Sequence, residues 1–249
     1  MELLIIIFIA FMVAVLFSTL GLGGAIIYTP LFFWLGIPLL TAIPMALLLN
    51  MITTSSASLT YLKRRLVDTR IAFPMVFTSI MGALTGSYLA HRIDTKFIIL
   101  LLSIALFIAA MRIFFFNKIG FSVGKNEKEK IVFGVCAAFF IGIISSIAGI
   151  GGGTFIVPLL LILGFETKRA IPTSAFIITF MSLSGFIGYV SFGQKTLDFT
   201  LLLYTGAAVF MGAQVGSRVI FRRASSRTIE QVFAIVLLLV GGKLLYGLW

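Results

Sequence analysis

The chain has 249 residues, of which 60% are hydrophobic and 11% charged, with a net charge of +11 and a mean hydropathy of +1.18. A soluble domain is nearer half apolar and a quarter charged, so the composition excludes that class. Apolar runs of about twenty residues recur throughout and predict an all-α polytopic protein in a lipid bilayer. In so hydrophobic a chain we expect the basic residues to set topology and contact anionic lipid, and we expect no nucleic-acid partner.

The predicted elements form two similar series. In each, a helix is followed by a glycine-rich break, a short apolar segment and three longer helices. The short segments are too short to cross a membrane comfortably, so each is predicted to be a half-helix that folds back against the helix before it. In chain order the helices and segments are 3–20, 25–37, 40–62, 70–90 and 96–116, then 131–148, 153–164, 170–192, 198–217 and 229–248.

The chain repeats itself after 128 residues. GLGGAIIYTPLFFWLGIPLLTAIP, which begins at Gly21, and GIGGGTFIVPLLLILGFETKRAIP, which begins at Gly149, are identical at ten of 24 positions. After a two-residue shift the match resumes, with GALTG at Gly82 against GAQVG at Gly212. We therefore predict a first transmembrane repeat over residues 1–116 and a second over residues 131–249, joined by a polar linker of residues 117–130.

The basic residues predict the orientation of the two repeats. If each half-helix returns to the face from which its predecessor came, the repeats are inverted and the Lys and Arg residues divide 15 to 4 between the two sides. Parallel repeats of four crossings each would divide them 11 to 8. Because basic loops remain in the cytoplasm, the inverted topology is favoured, with both termini outside and residues 117–130 cytoplasmic.

The two breaks are the candidate site. Interrupted helices in inverted repeats are typical of secondary transporters. The free N–H groups and dipole of a half-helix bind an anion without a cationic side chain, and glycine lets a ligand approach the backbone closely. The alternative is that the glycines serve only close packing or a hairpin bend. We predict one shared anion site, with Pro30 and Pro158 as hinges, built from Gly21, Gly23 and Gly24 and from Gly149, Gly151, Gly152 and Gly153.

Polar side chains within the apolar runs are predicted to complete this site, since hydroxyl and amide groups bind oxyanions. Their alternative role is to bond their own backbone or to join helices. Asn50 is the strongest single candidate, because an amide in the middle of a membrane helix needs partners. The full set is Asn50, Thr53 and Thr54, then Ser145 and Ser146, then Thr173, Ser174 and Ser182.

Other chemistry is not expected. All eight acidic residues lie near helix ends or in loops, so neither a carboxylate proton relay nor a charged sodium site is predicted. A single cysteine, Cys136, excludes an internal disulfide and a cysteine-based metal site. We find no nucleophile–base pair, metal cluster or phosphate-transfer motif, and therefore expect no catalytic residue, no metal, no cofactor and no enzymatic activity.

The motifs resemble the paired signatures of the sulfite exporter (TauE/SafE) family of membrane permeases. GLGGAIIYTPLFFWLG and SSIAGIGGGTFIVPLLLILGF carry the likeness, and GALTGSYLAHRI and GAQVGSRVIFRR resemble the later segments of that family. The resemblance covers nearly the whole chain. It implies transport of sulfur oxyanions and organosulfonates, such as sulfite or sulfoacetate, across the cytoplasmic (inner) membrane of a prokaryote. In one departure, Ala25 stands where a third glycine is usual.

The favoured hypothesis is a secondary transporter that moves small sulfur-containing anions by alternating access. One alternative is a transporter of another small anion or a neutral solute on the same scaffold. Another is a membrane assembly factor that transports nothing. A homodimer is also considered, with Gly82, Gly86, Gly212 and Gly216 either at its seam or packed within one chain.

Overall fold

The computed structural model describes residues 2–20, 23–115, 126–193, 199–219 and 227–246. This part of the chain is entirely helical outside its turns, which confirms the predicted all-α fold. The helices are α1 (Glu2–Leu20), α2 (Ala25–Trp34), α3 (Leu39–Lys63), α4 (Thr69–Ala90), α5 (Thr95–Phe115), α6 (Glu127–Ala148), α7 (Gly153–Ile162), α8 (Thr167–Phe192), α9 (Phe199–Val219) and α10 (Arg227–Tyr246).

Helix lengths agree with a membrane protein. Five helices are long and apolar enough to cross a bilayer: α3, α4, α8, and most of α6 and α9. By contrast α2 and α7 have 10 residues each. At 1.5 Å per residue they are about 15 Å long, half the thickness of the hydrocarbon core. They are half-helices, as predicted.

Two boundaries differ from the predictions. α6 begins at Glu127, inside the predicted linker, because Asn126 precedes it in an extended conformation and acidic residues favour the start of a helix. The half-helices end two to three residues earlier than predicted, at Trp34 and Ile162. Gly36 and Gly164 come shortly after these ends with φ of 83° and 87°, a left-handed conformation that stops each helix.

The central pair, α3 and α8, is antiparallel. Near their middles, the Asn50 amide nitrogen donates to Ser182 Oγ at 2.7 Å. Beyond the C-terminal end of α3, the Asp68 N–H donates to Thr173 Oγ1, near the start of α8, at 3.0 Å. Rising residue numbers on α3 thus meet falling numbers on α8. These two helices hold the same position in their respective halves of the chain.

The GxxxG motifs pack within the chain. A Cβ on Gly82 or Gly86 would collide with the backbone carbonyls of Phe139 and Ile143 in α6. In the other half, a Cβ on Gly212 or Gly216 would collide with the carbonyls of Phe11 and Val15 in α1. These four glycines let helix backbones meet closely, so they are not available for the dimer seam considered above.

A pair of tyrosines repeats the same contact in both halves. The Tyr61 hydroxyl donates to the Ser18 carbonyl at 2.9 Å, and the Tyr189 hydroxyl donates to the Ser146 carbonyl at 3.1 Å. Both tyrosines and both serines are 128 positions apart. Each bond is accepted by a carbonyl in the last turn of the helix before the break, where intrahelical donors run out.

The glycine contacts predict a measurable difference between two alanine substitutions. Gly82→Ala places a methyl group against the α6 backbone and should destabilise the protein by about 1–3 kcal/mol, the usual range for overpacking. Thermal unfolding in detergent measures the change. Gly242→Ala is the matched control, because nothing lies within 4 Å of its Cβ position. Equal melting temperatures for the two variants would contradict the close α4–α6 contact.

Candidate functional site

At the first break, Asn50 binds the start of the half-helix. Its Oδ1 accepts hydrogen bonds from the N–H groups of Gly24 at 2.6 Å and Ala25 at 3.0 Å. Asn50 lies in the middle of α3 and is fully buried. In this structure these two N–H groups are therefore satisfied by the protein itself, which differs from the open anion site predicted at this break.

The Asn50 side chain also reaches the second break. A Cβ on Gly23 would overlap Asn50 Oδ1, and a Cβ on Gly151 would overlap its Nδ2. Both glycines have a positive φ, 73° and 75°, which L side chains rarely adopt. Glycine is thus needed at both positions for conformation and for space. Asn50 is the point at which the two breaks meet.

The second break has a different backbone and no comparable cap. Gly149, Gly151 and Gly152 are all left-handed, with φ between 67° and 77°. Gly152 begins α7 with no side-chain hydrogen bond to the helix terminus. Within the described chain, no residue accepts a hydrogen bond from the N–H of Gly153 or Thr154. The positive end of the α7 dipole is therefore available to an acceptor.

Three buried hydroxyl groups near the second break have no hydrogen-bond partners in the described part of the chain. They belong to Ser145, Ser146 and Thr154, whose exposed fractions are 1%, 2% and 7%. Ser145 Oγ lies 3.4 Å from the Cβ position of Gly152, at the start of α7, and Ser146 Oγ lies 3.1 Å from that of Gly185 on α8. Buried polar groups are usually paired, and an unpaired one costs about 1–3 kcal/mol. Two of them, those of Ser145 and Thr154, lie at the uncapped start of α7, which makes this terminus the candidate ligand site.

The repeat offset shows that the two breaks have diverged. Ser145 and Thr154 in the second half correspond to Phe17 and Ile26 in the first. Conversely, Asn50 of the first half corresponds to Ile178 of the second. The first break is therefore capped by Asn50 and has apolar residues at the two positions where the second, uncapped break has Ser145 and Thr154.

The other predicted hydroxyl residues bond backbone groups. Thr53 and Thr54 donate to the carbonyls of Leu49 and Asn50 in their own helix, both at 2.9 Å. Ser174 Oγ likewise donates to the Ile171 carbonyl at 2.8 Å. Thr173, bonded to Asp68, lies nine residues before Ser182, or about 13.5 Å along α8. These bonds join three of the hydroxyls to their own helices and that of Thr173 to the turn after α3.

Neither predicted proline lies at a glycine break. Pro30 and Pro158 lie inside α2 and α7, past their first turns, and their role as hinges stays a prediction. Gly21 lies outside the described residues.

Sequence reasoning missed Thr154 and Thr29. Thr29, in α2, donates to the Gly149 carbonyl at 2.6 Å and so ties the first half-helix to the second break. Thr154 could have been found by comparing the repeats position by position, because its partner in the first half is the apolar Ile26.

Charged groups stay away from the breaks in the part of the chain that the structure describes. Its buried polar residues include no Lys, Arg, Asp or Glu. The ion pair between Arg169 and Asp68, at 3.9 Å, is partly exposed to the surroundings. No group of three or more His, Cys, Asp or Glu residues occurs among the described residues. Any ligand at the second break would therefore be held by neutral donors and helix dipoles.

Glycine breaks that start two half-helices at one buried point are a construction found in membrane transporters. The comparisons with known proteins agree: the chain belongs to the Sulfite exporter TauE/SafE family, whose sequence model matches residues 6–244. It is a membrane transporter of that family, and the family is described by transport rather than by catalysis.

Named relatives support this assignment. The "Probable membrane transporter protein YunE" of Bacillus subtilis (strain 168) is 27% identical over 92% of each chain. The "Probable membrane transporter protein ORF9" of Sinorhizobium sp is 26% identical over 98% of this chain and 93% of that protein. A segment covering 31% of this chain and 18% of the other is 34% identical to the "Sulfite exporter TauE/SafE family protein 5" of Arabidopsis thaliana. No solved structure matches the chain.

The close contact between Asn50 and Gly151 can be tested by substituting the glycine. Gly151→Ala should cost about 1–2 kcal/mol for a left-handed alanine and a further ~1–3 kcal/mol for displacing Asn50 from its buried partners. Gly36→Ala separates the two effects, because its φ is 83° but nothing lies within 4 Å of its Cβ position. Chemical unfolding of both variants measures the difference. If Gly151→Ala were no less stable than Gly36→Ala, Asn50 would not fill the space against Gly151.

Proposed function

We propose that the protein is a secondary transporter of small sulfur-containing anions, such as sulfite, sulfoacetate or related organosulfonates, across the cytoplasmic membrane. One observation carries the proposal: two buried hydroxyls without partners among the described residues, those of Ser145 and Thr154, lie at an uncapped half-helix terminus. Sulfite and sulfonate groups present several acceptor oxygens and a negative charge, which suit hydroxyl donors, backbone N–H groups and a positive helix end. The printed name of the family supports this class of substrate.

The same donors would suit other small oxyanions. A carboxylate also offers acceptor oxygens to hydroxyl and N–H groups, so a carboxylate transporter is the second candidate. Measuring how sulfonates and carboxylates compete for binding distinguishes these two classes of substrate. An assembly factor that binds no ligand would gain nothing from unpaired buried hydroxyls, which are destabilising, so that alternative is disfavoured.

Burial of the site supports alternating access. Ser145 and Asn50 are 1% and 0% exposed, so a ligand can enter or leave only when the surrounding helices separate. The contacts that must open include those between the two halves, namely Asn50 with Ser182 and Thr29 with Gly149. Movement of one half against the other would expose the second break to each side of the membrane in turn.

We also propose that the halves are inverted in the membrane, as the basic residues predict. The antiparallel packing of α3 and α8 supports this, since helices at the same position of two inverted repeats must cross the bilayer in opposite directions. The linker of residues 117–130 would then be cytoplasmic and both termini outside.

Removing an unpaired hydroxyl should weaken ligand binding without weakening the fold. We expect Ser145→Ala and Thr154→Val to keep or raise the melting temperature of the ligand-free protein, because each deletes a buried group that lacks a partner in the described chain. In the wild type, sulfite or methanesulfonate at a hundred times its dissociation constant should stabilise the folded protein by about 2.7 kcal/mol. Both variants should lose most of this stabilisation.

The matched control is Ser103→Ala, since Ser103 is buried but donates to the Ile99 carbonyl at 2.8 Å, far along the sequence from either break. It should bind anions like the wild type. A panel of sulfite, sulfate, methanesulfonate, acetate and chloride defines the class of ligand. A shift with acetate alone would favour the carboxylate candidate, and no shift with any anion would contradict the proposed function.

The topology can be tested with single cysteines just beyond the two equivalent helices. In a Cys136→Ser background, Lys195→Cys, after α8, should react with a membrane-impermeant maleimide in intact cells. Lys63→Cys, at the exposed end of α3, should react only after lysis. The reverse pattern would contradict the proposed orientation. Labelling of both positions from the same side would contradict the inverted repeats, because parallel repeats place the ends of α3 and α8 on one face.

A further inference from the structure

Asn50 makes more contacts than the capping of α2 requires. Any side-chain oxygen could accept from Gly24 and Ala25, and aspartate caps a helix as well as asparagine does. The other end of the Asn50 amide, Nδ2, is also buried, and it lies between Ser182 and Gly151 on the side of the second break. Capping alone gives that end of the side chain no function.

The orientation of the amide is determined by its neighbours. The two backbone N–H groups of Gly24 and Ala25 can only donate, so the atom that faces them must be the oxygen. The amide nitrogen then faces Ser182 Oγ at 2.7 Å. Because Ser182 accepts this bond, its own hydrogen remains available for a further acceptor.

These bonds form a chain from the first half-helix to the second break. The positive end of α2 acts on Asn50 Oδ1, and an amide that accepts two bonds at its oxygen becomes a stronger donor at its nitrogen. That nitrogen adjoins Gly151 and bonds Ser182, both beside the terminus of α7. The dipole of α2 is thus directed towards the same place as the dipole of α7.

We infer that Asn50 is a positioning and specificity-determining residue, which relays the positive end of α2 to an anion bound at the second break. This inference rests on the proposed function. It assigns the two half-helices different tasks at one ligand: α7 contacts the anion directly, and α2 acts through Asn50 and Ser182. It also favours an anion over a neutral solute, because both helix ends then contribute positive potential at the ligand.

Asn50→Asp separates this relay from a purely structural cap. An aspartate keeps the size of the side chain and the acceptor for Gly24 and Ala25, and a carboxylate is favourable at a helix N-terminus. The variant should therefore fold. It should lose affinity for methanesulfonate about tenfold or more at pH 8, because it replaces a donor near the anion by a negative charge.

A pH series gives a readout that capping alone would not move. Methanesulfonate stays ionised throughout the accessible range, so changes in affinity come from the protein. Protonation of the introduced carboxyl on acidification removes the repulsion and restores a donor. Affinity should therefore recover towards low pH in Asn50→Asp, whereas the wild type should show no such recovery.

Ser182→Ala is the second variant, and it decides the question if Asn50→Asp does not fold. It leaves the cap of α2 intact and removes the hydroxyl at the end of the relay, so the dissociation constant for methanesulfonate should rise several-fold. Wild-type affinity in folded Asn50→Asp at pH 8, or in Ser182→Ala, would overturn the relay and leave the proposed function standing. A wild type that binds no anion would overturn both.

Discussion

The structure depends on how a backbone that leaves its helix at membrane depth has its polar groups satisfied. Hydrocarbon offers no hydrogen bonds, so every interruption needs a partner from the protein or from a ligand. At the first break, the partner is the Asn50 oxygen, which accepts from Gly24 and Ala25. At the second, the N–H groups that start α7 and three hydroxyls remain without partners among the described residues. One break is closed by a side chain, and the other has no such partner in the described part of the chain.

The two halves share their packing contacts and differ at the breaks. The scaffold is kept in duplicate: the tyrosine contacts to Ser18 and Ser146, and the glycine contacts of α4 with α6 and of α9 with α1, occur in both halves. At the breaks the duplicates differ in polarity, with Phe17 and Ile26 opposite Ser145 and Thr154. Packing contacts are required twice to hold two similar bundles together. The unpaired hydroxyls of Ser145 and Thr154 have no counterpart in the first half.

The sequence predicted the helices and half-helices well because their signals are local. Apolar length defines the spans, and the left-handed glycines 36, 151 and 164 fall where the chain turns. The partners of the polar side chains were not predictable in the same way. Asn50 bonds residues 25, 26 and 132 positions away, and only the packed helices show that its oxygen serves one break while its nitrogen faces the other. For Thr53 and Thr54, both an oxyanion and their own helix were chemically sufficient acceptors, and in the structure the helix carbonyl one turn back is the one that accepts.

A bound anion would cap the half-helix at the second break as Asn50 caps the half-helix at the first. Its oxygens would accept from the start of α7, as Asn50 Oδ1 accepts from the start of α2, and they would also pair the hydroxyls of Ser145 and Thr154. Binding would therefore remove the cost of unpaired groups and tie the two halves together around the ligand. For a transporter this has a consequence for rate as well as affinity. A ligand that paired every donor perfectly would hold the halves closed, so efficient transport requires donors that are sufficient to capture the anion and too few to retain it.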